Sequence, residues 1–112
     1  IIKIKNLIKK LNHHKKNIYG ISASPRGCVL LNSGNFNRKN IKIIGEMSKS
    51  FKLNKLIPGT NIQIKDENSI LIDQPDFVII LAWHLKHRLM KFLIKRGYKG
   101  KFIIPLPKIK IL

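Results

Sequence analysis

The residue best placed to do chemistry is Arg26, inside Ile18 to Asn32, Ile-Tyr-Gly-Ile-Ser-Ala-Ser-Pro-Arg-Gly-Cys-Val-Leu-Leu-Asn. Its guanidinium is a planar fork that matches a phosphate or carboxylate. Small residues surround it: Ser22, Ala23, Ser24, Pro25 and Gly27. An apolar run, Ile18 to Ile21, precedes this loop and another, Cys28 to Leu31, follows it. The pattern predicts a strand, a tight loop and the start of a helix. That layout aims backbone N–H groups at an anion. Within this stretch glycines stand only at 20 and 27, so the dinucleotide fingerprint Gly-x-Gly-x-x-Gly is absent from it. An ordinary strand-to-helix turn with a solvated arginine is the competing reading.

Two further places could contribute. Glu46 is a lone carboxylate just past a short apolar run, Ile41 to Ile44. In dinucleotide folds an acid there holds a ribose hydroxyl; otherwise it is a surface acid among lysines. Trp83 and His84 close the strongest apolar run, Phe77 to Leu81. His84 can donate to a sugar or phosphate oxygen, or simply satisfy a strand end. His87, three residues on, does not complete a metal site, which needs more ligands. His13 and His14 lie in a lysine-rich break and read as solvated.

Elements must position these residues. Ile1, Ile4, Leu7, Ile8 and Leu11 have helical spacing with lysines between. The helix would lie on its own sheet, or, as the alternative, on a membrane surface. Ile41 to Ile44, Ile62 to Ile64, Phe77 to Leu81 and Lys101 to Ile104 read as strands after the first. Asp66 and Glu67 introduce a single helical turn at Ile70 to Ile72. Leu85 to Arg96 is an amphipathic helix, with Gly97 stopping it. Pro58-Gly59 marks a turn. Strands alternating with helices predict an α/β domain: one Rossmann-like unit over residues 1–112, with a mostly parallel sheet of about five strands and helices on both faces. Ligands of such sheets lie beyond the carboxyl ends of the strands. There the chain has Ser22 to Arg26, Glu46, Trp83-His84 and Pro105 to Pro107.

Composition bounds the rest. The 112 residues suffice for a real core, and 44% hydrophobic content argues against disorder. No apolar run is long enough to span a bilayer, and the N-terminus lacks the pattern of a signal peptide. One cysteine, Cys28, suits a reducing, cytoplasmic compartment. The start at Ile suggests a piece of something longer. Lys and Arg number 23 against 5 acids, a net charge of +18. Such a balance attracts polyanions. The lysines are scattered, however, and a compositional habit that solvates the surface explains them equally well. A small basic nucleic-acid-binding module, with Tyr19, Trp83 and Tyr98 as stacking groups, is the alternative function.

Four groups of residues resemble one family in order and spacing. They are Tyr19-Gly20 with Ser24-Pro25-Arg26-Gly27 and Leu30-Leu31-Asn32; Lys55 with Pro58-Gly59-Thr60 and Ile62-Gln63-Ile64; Pro75-Asp76-Phe77-Val78 with Leu81-Ala82-Trp83-His84; and Gly97-Tyr98 with Gly100 to Pro107. The chain resembles the C-terminal domain of S-adenosylmethionine-dependent sugar C-methyltransferases, which act on nucleotide-linked deoxysugars. The resemblance implies a domain that follows zinc-binding and S-adenosylmethionine-binding domains, neither of which is in this chain. It implies no catalytic, cofactor or metal residues here, but one wall of a nucleotide-diphosphate-sugar site. Ser22, Ser24, Arg26 and Gly27 would meet the phosphates, with Tyr19 and Glu46 beside them. Pro58, Gly59 and Thr60 would shape a loop over the cleft, and Trp83 and His84 would close it. Asn54 stands where the family often has glycine, and asparagine tolerates positive φ.

Overall fold

The computed structural model describes all 112 residues. Six strands form one sheet: β1 (Ile18–Ile21), β2 (Ile43–Glu46), β3 (Gln63–Asp66), β4 (Phe77–Ile80), β5 (Lys101–Ile104) and β6 (Lys110–Ile111). Their spatial order is β3-β2-β1-β4-β5-β6. The first five are parallel, with Gly20 opposite both Ile44 and Ile79. β6 pairs antiparallel with β5, Ile103 opposite Ile111. The sheet is therefore mixed and six-stranded, one strand more than expected. A two-residue edge strand after Pro105-Leu106-Pro107 has no periodicity to announce it.

Helices cover both faces, consistent with a Rossmann-like arrangement. α1 (Ile2–His13) and α2 (Pro25–Ser33) lie on one face, α3 (Asn68–Asp73) and α4 (Lys86–Lys95) on the other. Ile4 and Ile8 of α1 are 3% and 0% exposed and join the first core with Leu30, Leu31, Ile44 and Ile79. The apolar stripe of α1 thus packs on its own sheet, and each such side chain contributes about 1.5–3 kcal/mol. The second core gathers Tyr19, Ile21, Ile70, Val78, Leu93 and Phe102. Alternate residues of β1 and β4 supply the two faces, as strand geometry requires. Interior β4 is covered on both sides, matching its uninterrupted apolar sequence.

α2 begins four residues before Val29. Ser24 is its N-cap, accepting from the Gly27 N–H at 3.1 Å, and Pro25 occupies the first turn. α4 is preceded by a 3-10 turn, Trp83–Leu85, and followed by Gly97 at φ 107. No helix is long and apolar enough to cross a membrane.

Between β2 and β3 the chain doubles back. Residues 54–57 run antiparallel beside β3: Asn54 N–H donates to Ile64 O (2.7 Å) and Ile64 N–H to Lys55 O (2.8 Å). Asn54 adopts φ 65, so asparagine does serve where positive φ is needed. Pro58, Gly59 and Thr60 then turn the chain into β3.

Candidate functional site

The loops leaving β1, β2 and β4 meet at the carboxyl-end edge of the sheet, and a packing contact fixes their relation. A Cβ built on Gly27 would lie 2.8 Å from Leu81 Cβ. Only glycine lets the first turn of α2 sit directly on the outgoing end of β4. Arg26 is exposed on that turn, and the end of β4 continues into half-buried Trp83 and exposed His84. In this strand order, β1 and β4 flank the point where the connections diverge to opposite faces, the usual position of a ligand crevice.

The loop after β1 is clamped from three sides. Ser22 adopts φ 75 and its N–H donates to Gly45 O at 2.9 Å. A left-handed conformation at a non-glycine residue costs of order 1–3 kcal/mol and must be over-determined by its surroundings. Glu46 supplies part of that: its Oε2 accepts from the Ala23 N–H (2.9 Å) and its Oε1 from the Met47 N–H (3.1 Å). The ammonium of half-buried Lys52 donates to Ala23 O at 3.0 Å. Ala23 is therefore gripped at both its N–H and its carbonyl by oppositely charged side chains. Lys52 escapes recognition in the sequence because nothing in its spacing distinguishes it from eighteen other lysines.

These contacts define what the loop offers a ligand. Pro25 has no N–H, and those of Gly27 and Cys28 are taken by Ser24. The Arg26 N–H and guanidinium are the donors facing outward in this turn. The Glu46 carboxylate, engaged with two backbone amides, is not presented to a ribose. With neither a glycine-rich loop nor a free acid at the end of β2, the residues here do not fit S-adenosylmethionine. No group of three or more His, Cys, Asp or Glu side chains could hold a metal.

Beside the loop, a groove of about 270 Å³ runs down the flank of α2, lined by Ala23, Pro25, Cys28, Lys52, Leu56 and Pro58 among others. Phe51 is 79% exposed, with Lys55 Nζ 5.2 Å from its ring centroid, and Met47 is exposed too.

Other expected site residues lie elsewhere. Tyr19 is buried in the second core, and its hydroxyl donates to Asp73 Oδ2 at 2.5 Å. Burial, then Asp73, pushes its pKa up to about 12. Pro58, Gly59 and Thr60 precede β3 and so lie at the amino-end edge, not over the cleft. Pro58 O accepts from Asn32 Nδ2 (2.8 Å) at the far end of α2, and Gly59 packs on the same side chain. The Thr60 hydroxyl donates to Ile57 O (2.9 Å) and accepts from the Ile62 N–H (3.1 Å). The sequence identifies this turn but not the edge it occupies, because the doubling back of residues 54–57 has no local signature. Ser24 is a helix cap and Ser22 a strained link; Arg26 and His84 are exposed, and Trp83 is half-buried against the first core.

Comparison with known proteins agrees with the early resemblance. The profile of the C-methyltransferase C-terminal domain family matches residues 2–107. The C-methyltransferase NovU of Streptomyces niveus is 24% identical over 112 residues, covering 97% of this chain and 26% of that protein. The chain thus spans about a quarter of the relative's length.

Proposed function

The chain belongs to the C-methyltransferase C-terminal domain family, and from that premise we propose that it forms one wall of a nucleotide-diphosphate-sugar site, the sugar being a deoxysugar methylated on carbon. What supports this reading is the contact of Gly27 with Leu81, which packs the turn carrying Arg26 on the outgoing end of β4, the strand that leads into Trp83 and His84. Arg26 pairs with the diphosphate through charge-assisted hydrogen bonds. His84 donates to a sugar or phosphate oxygen, and Trp83 supplies an apolar wall. Glu46 and Lys52 position the loop without touching the ligand.

Carbon methylation needs a base to generate a carbanion and a donor in line with it. Four of the five acids here accept from backbone or hydroxyl donors: Glu46, Asp66, Asp73 and Asp76. The fifth, Glu67, has its pKa raised first by burial, and its N–H donates to Glu46 O at the end of β2 (2.8 Å). The methyl donor and the base belong to a partner methyltransferase domain, and the isolated chain transfers no methyl group.

Calorimetric titration with dTDP-glucose and UDP-glucose tests the reading. Saturable binding is expected, weakened about 10- to 100-fold by Arg26→Ala, the equivalent of one charge-assisted hydrogen bond. Binding unchanged by that substitution, or no saturable binding, overturns it.

A further inference from the structure

The amino-end edge of the sheet concentrates positive charge in a different way. Two adjoining hollows open there, of about 550 and 180 Å³, and both are bordered by Lys16. Lys99 and Lys101 complete the first, and Lys15, Lys39 and Lys42 the second. All six side chains are exposed. Asp76 is the one acid among them, and its Oδ2 already accepts the Asn17 N–H at 2.8 Å.

The base beneath these lysines is knit by uncharged groups. Asn12 Nδ2 donates to Asn40 O (3.1 Å) and Asn40 Nδ2 to Asn12 Oδ1 (3.2 Å). The Tyr98 hydroxyl lies 2.9 Å from Pro75 O and 3.1 Å from Lys101 O. No large apolar side chain is exposed in segments 12–17, 37–42, 74–76 or 97–101. A membrane surface is held through apolar insertion as well as charge, and stable protein interfaces have an apolar centre. Neither is on offer. The rings of Tyr19 and Tyr98 are buried and offer unpaired bases no platform on which to stack. Point charges on a rigid polar base suit a regular array of phosphates.

We propose that the amino-end edge, through Lys15, Lys16, Lys39, Lys42, Lys99 and Lys101, binds the phosphodiester backbone of a nucleic-acid duplex without reading its sequence. This surface is separate from the nucleotide-sugar crevice and stands or falls independently of it. Each phosphate neutralised steepens the salt dependence of affinity by about 0.9 in log K against log salt, so four or five contacts give a slope near −4.

The test is fluorescence anisotropy of a 20-base-pair mixed-sequence DNA duplex between 50 and 200 mM KCl. The triple variant K16Q/K39Q/K99Q is expected to lose tenfold or more in affinity at 50 mM and to flatten the slope by about 2 to 3. A control of equal charge, K3Q/K49Q/K91Q, should stay within twofold. A second set, K15Q/K42Q/K101Q, should repeat the first and guards against misfolding of either. Equal losses in control and edge variants, an unchanged duplex affinity, or tighter capture by phosphatidylserine vesicles than by the duplex overturns the proposal.

Discussion

The two edges of the sheet are built from different chemistry. At the carboxyl-end edge, a strained serine, an engaged glutamate and a half-buried lysine hold one loop, and apolar side chains such as Phe51 and Met47 stand exposed nearby. At the amino-end edge, neutral amides and a buried tyrosine hydroxyl close the strand starts, and the exposed groups are polar or cationic. Strain held by charge is the mark of a place that presents groups to a ligand. Satisfied neutral hydrogen bonds are the mark of a place that holds the fold together. The difference teaches that a uniformly basic composition still distributes distinct tasks over one small domain.

Substitutions can break that distinction. The largest effect is expected from Gly27→Val. A side chain driven into Leu81 should cost about 3 kcal/mol by overpacking and separate α2 from β4. Denaturant unfolding should show the loss, and calorimetry should show nucleotide-sugar binding abolished. Tyr98→Phe, at the opposite edge, takes the hydroxyl donor from the buried Pro75 carbonyl and should cost about 2 kcal/mol. Its melting temperature should fall by about 10 °C, while nucleotide-sugar affinity stays within twofold. Lys52→Met keeps the aliphatic stem but frees Ala23 O. About 1 kcal/mol of stability and a few-fold loss of nucleotide-sugar affinity should follow, because the loop and not the ligand is touched.

The remaining effect shows only at alkaline pH. Burial and then Asp73 raise the Tyr19 hydroxyl to about 12, above the ordinary value near 10 of the unfolded chain. The protonated hydroxyl therefore contributes fully below about pH 10, and that contribution falls away as pH rises toward 12. Unfolding curves across this window should decline less steeply for Tyr19→Phe than for the unaltered chain. An identical decline would remove Tyr19 from the account.

Much of this fold was legible because buried strands and amphipathic helices leave their periods in the sequence. Phe77 to Leu81 and the stripe of α1 fall where apolar spacing places them. Ile41 shows the limit: it is fully buried yet precedes β2, since an apolar run reports burial and not pairing. The Ser24-Pro25 pair is a helix-start signal that places the beginning of α2 better than the apolar run at Cys28 to Leu31 does. At the site, Arg26, Trp83 and His84 were legible from residue type at strand ends. Lys52 was not, nor was the edge taken by Pro58 to Thr60. Lys52 reaches Ala23 across 29 residues and the turn at Pro58 meets Asn32 across 26, contacts that no local pattern encodes.

The central claim is that nucleotide-sugar recognition belongs to the carboxyl-end edge. A ¹⁵N-resolved NMR titration of the chain with dTDP-glucose tests it most directly. Saturable shifts should be confined to the amides of residues 22–28, 46–47 and 81–85, with those of 15–17, 39–42 and 99–101 unmoved. Shifts centred on the amino-end lysines, with the Gly27 to Leu81 contact silent, would contradict it.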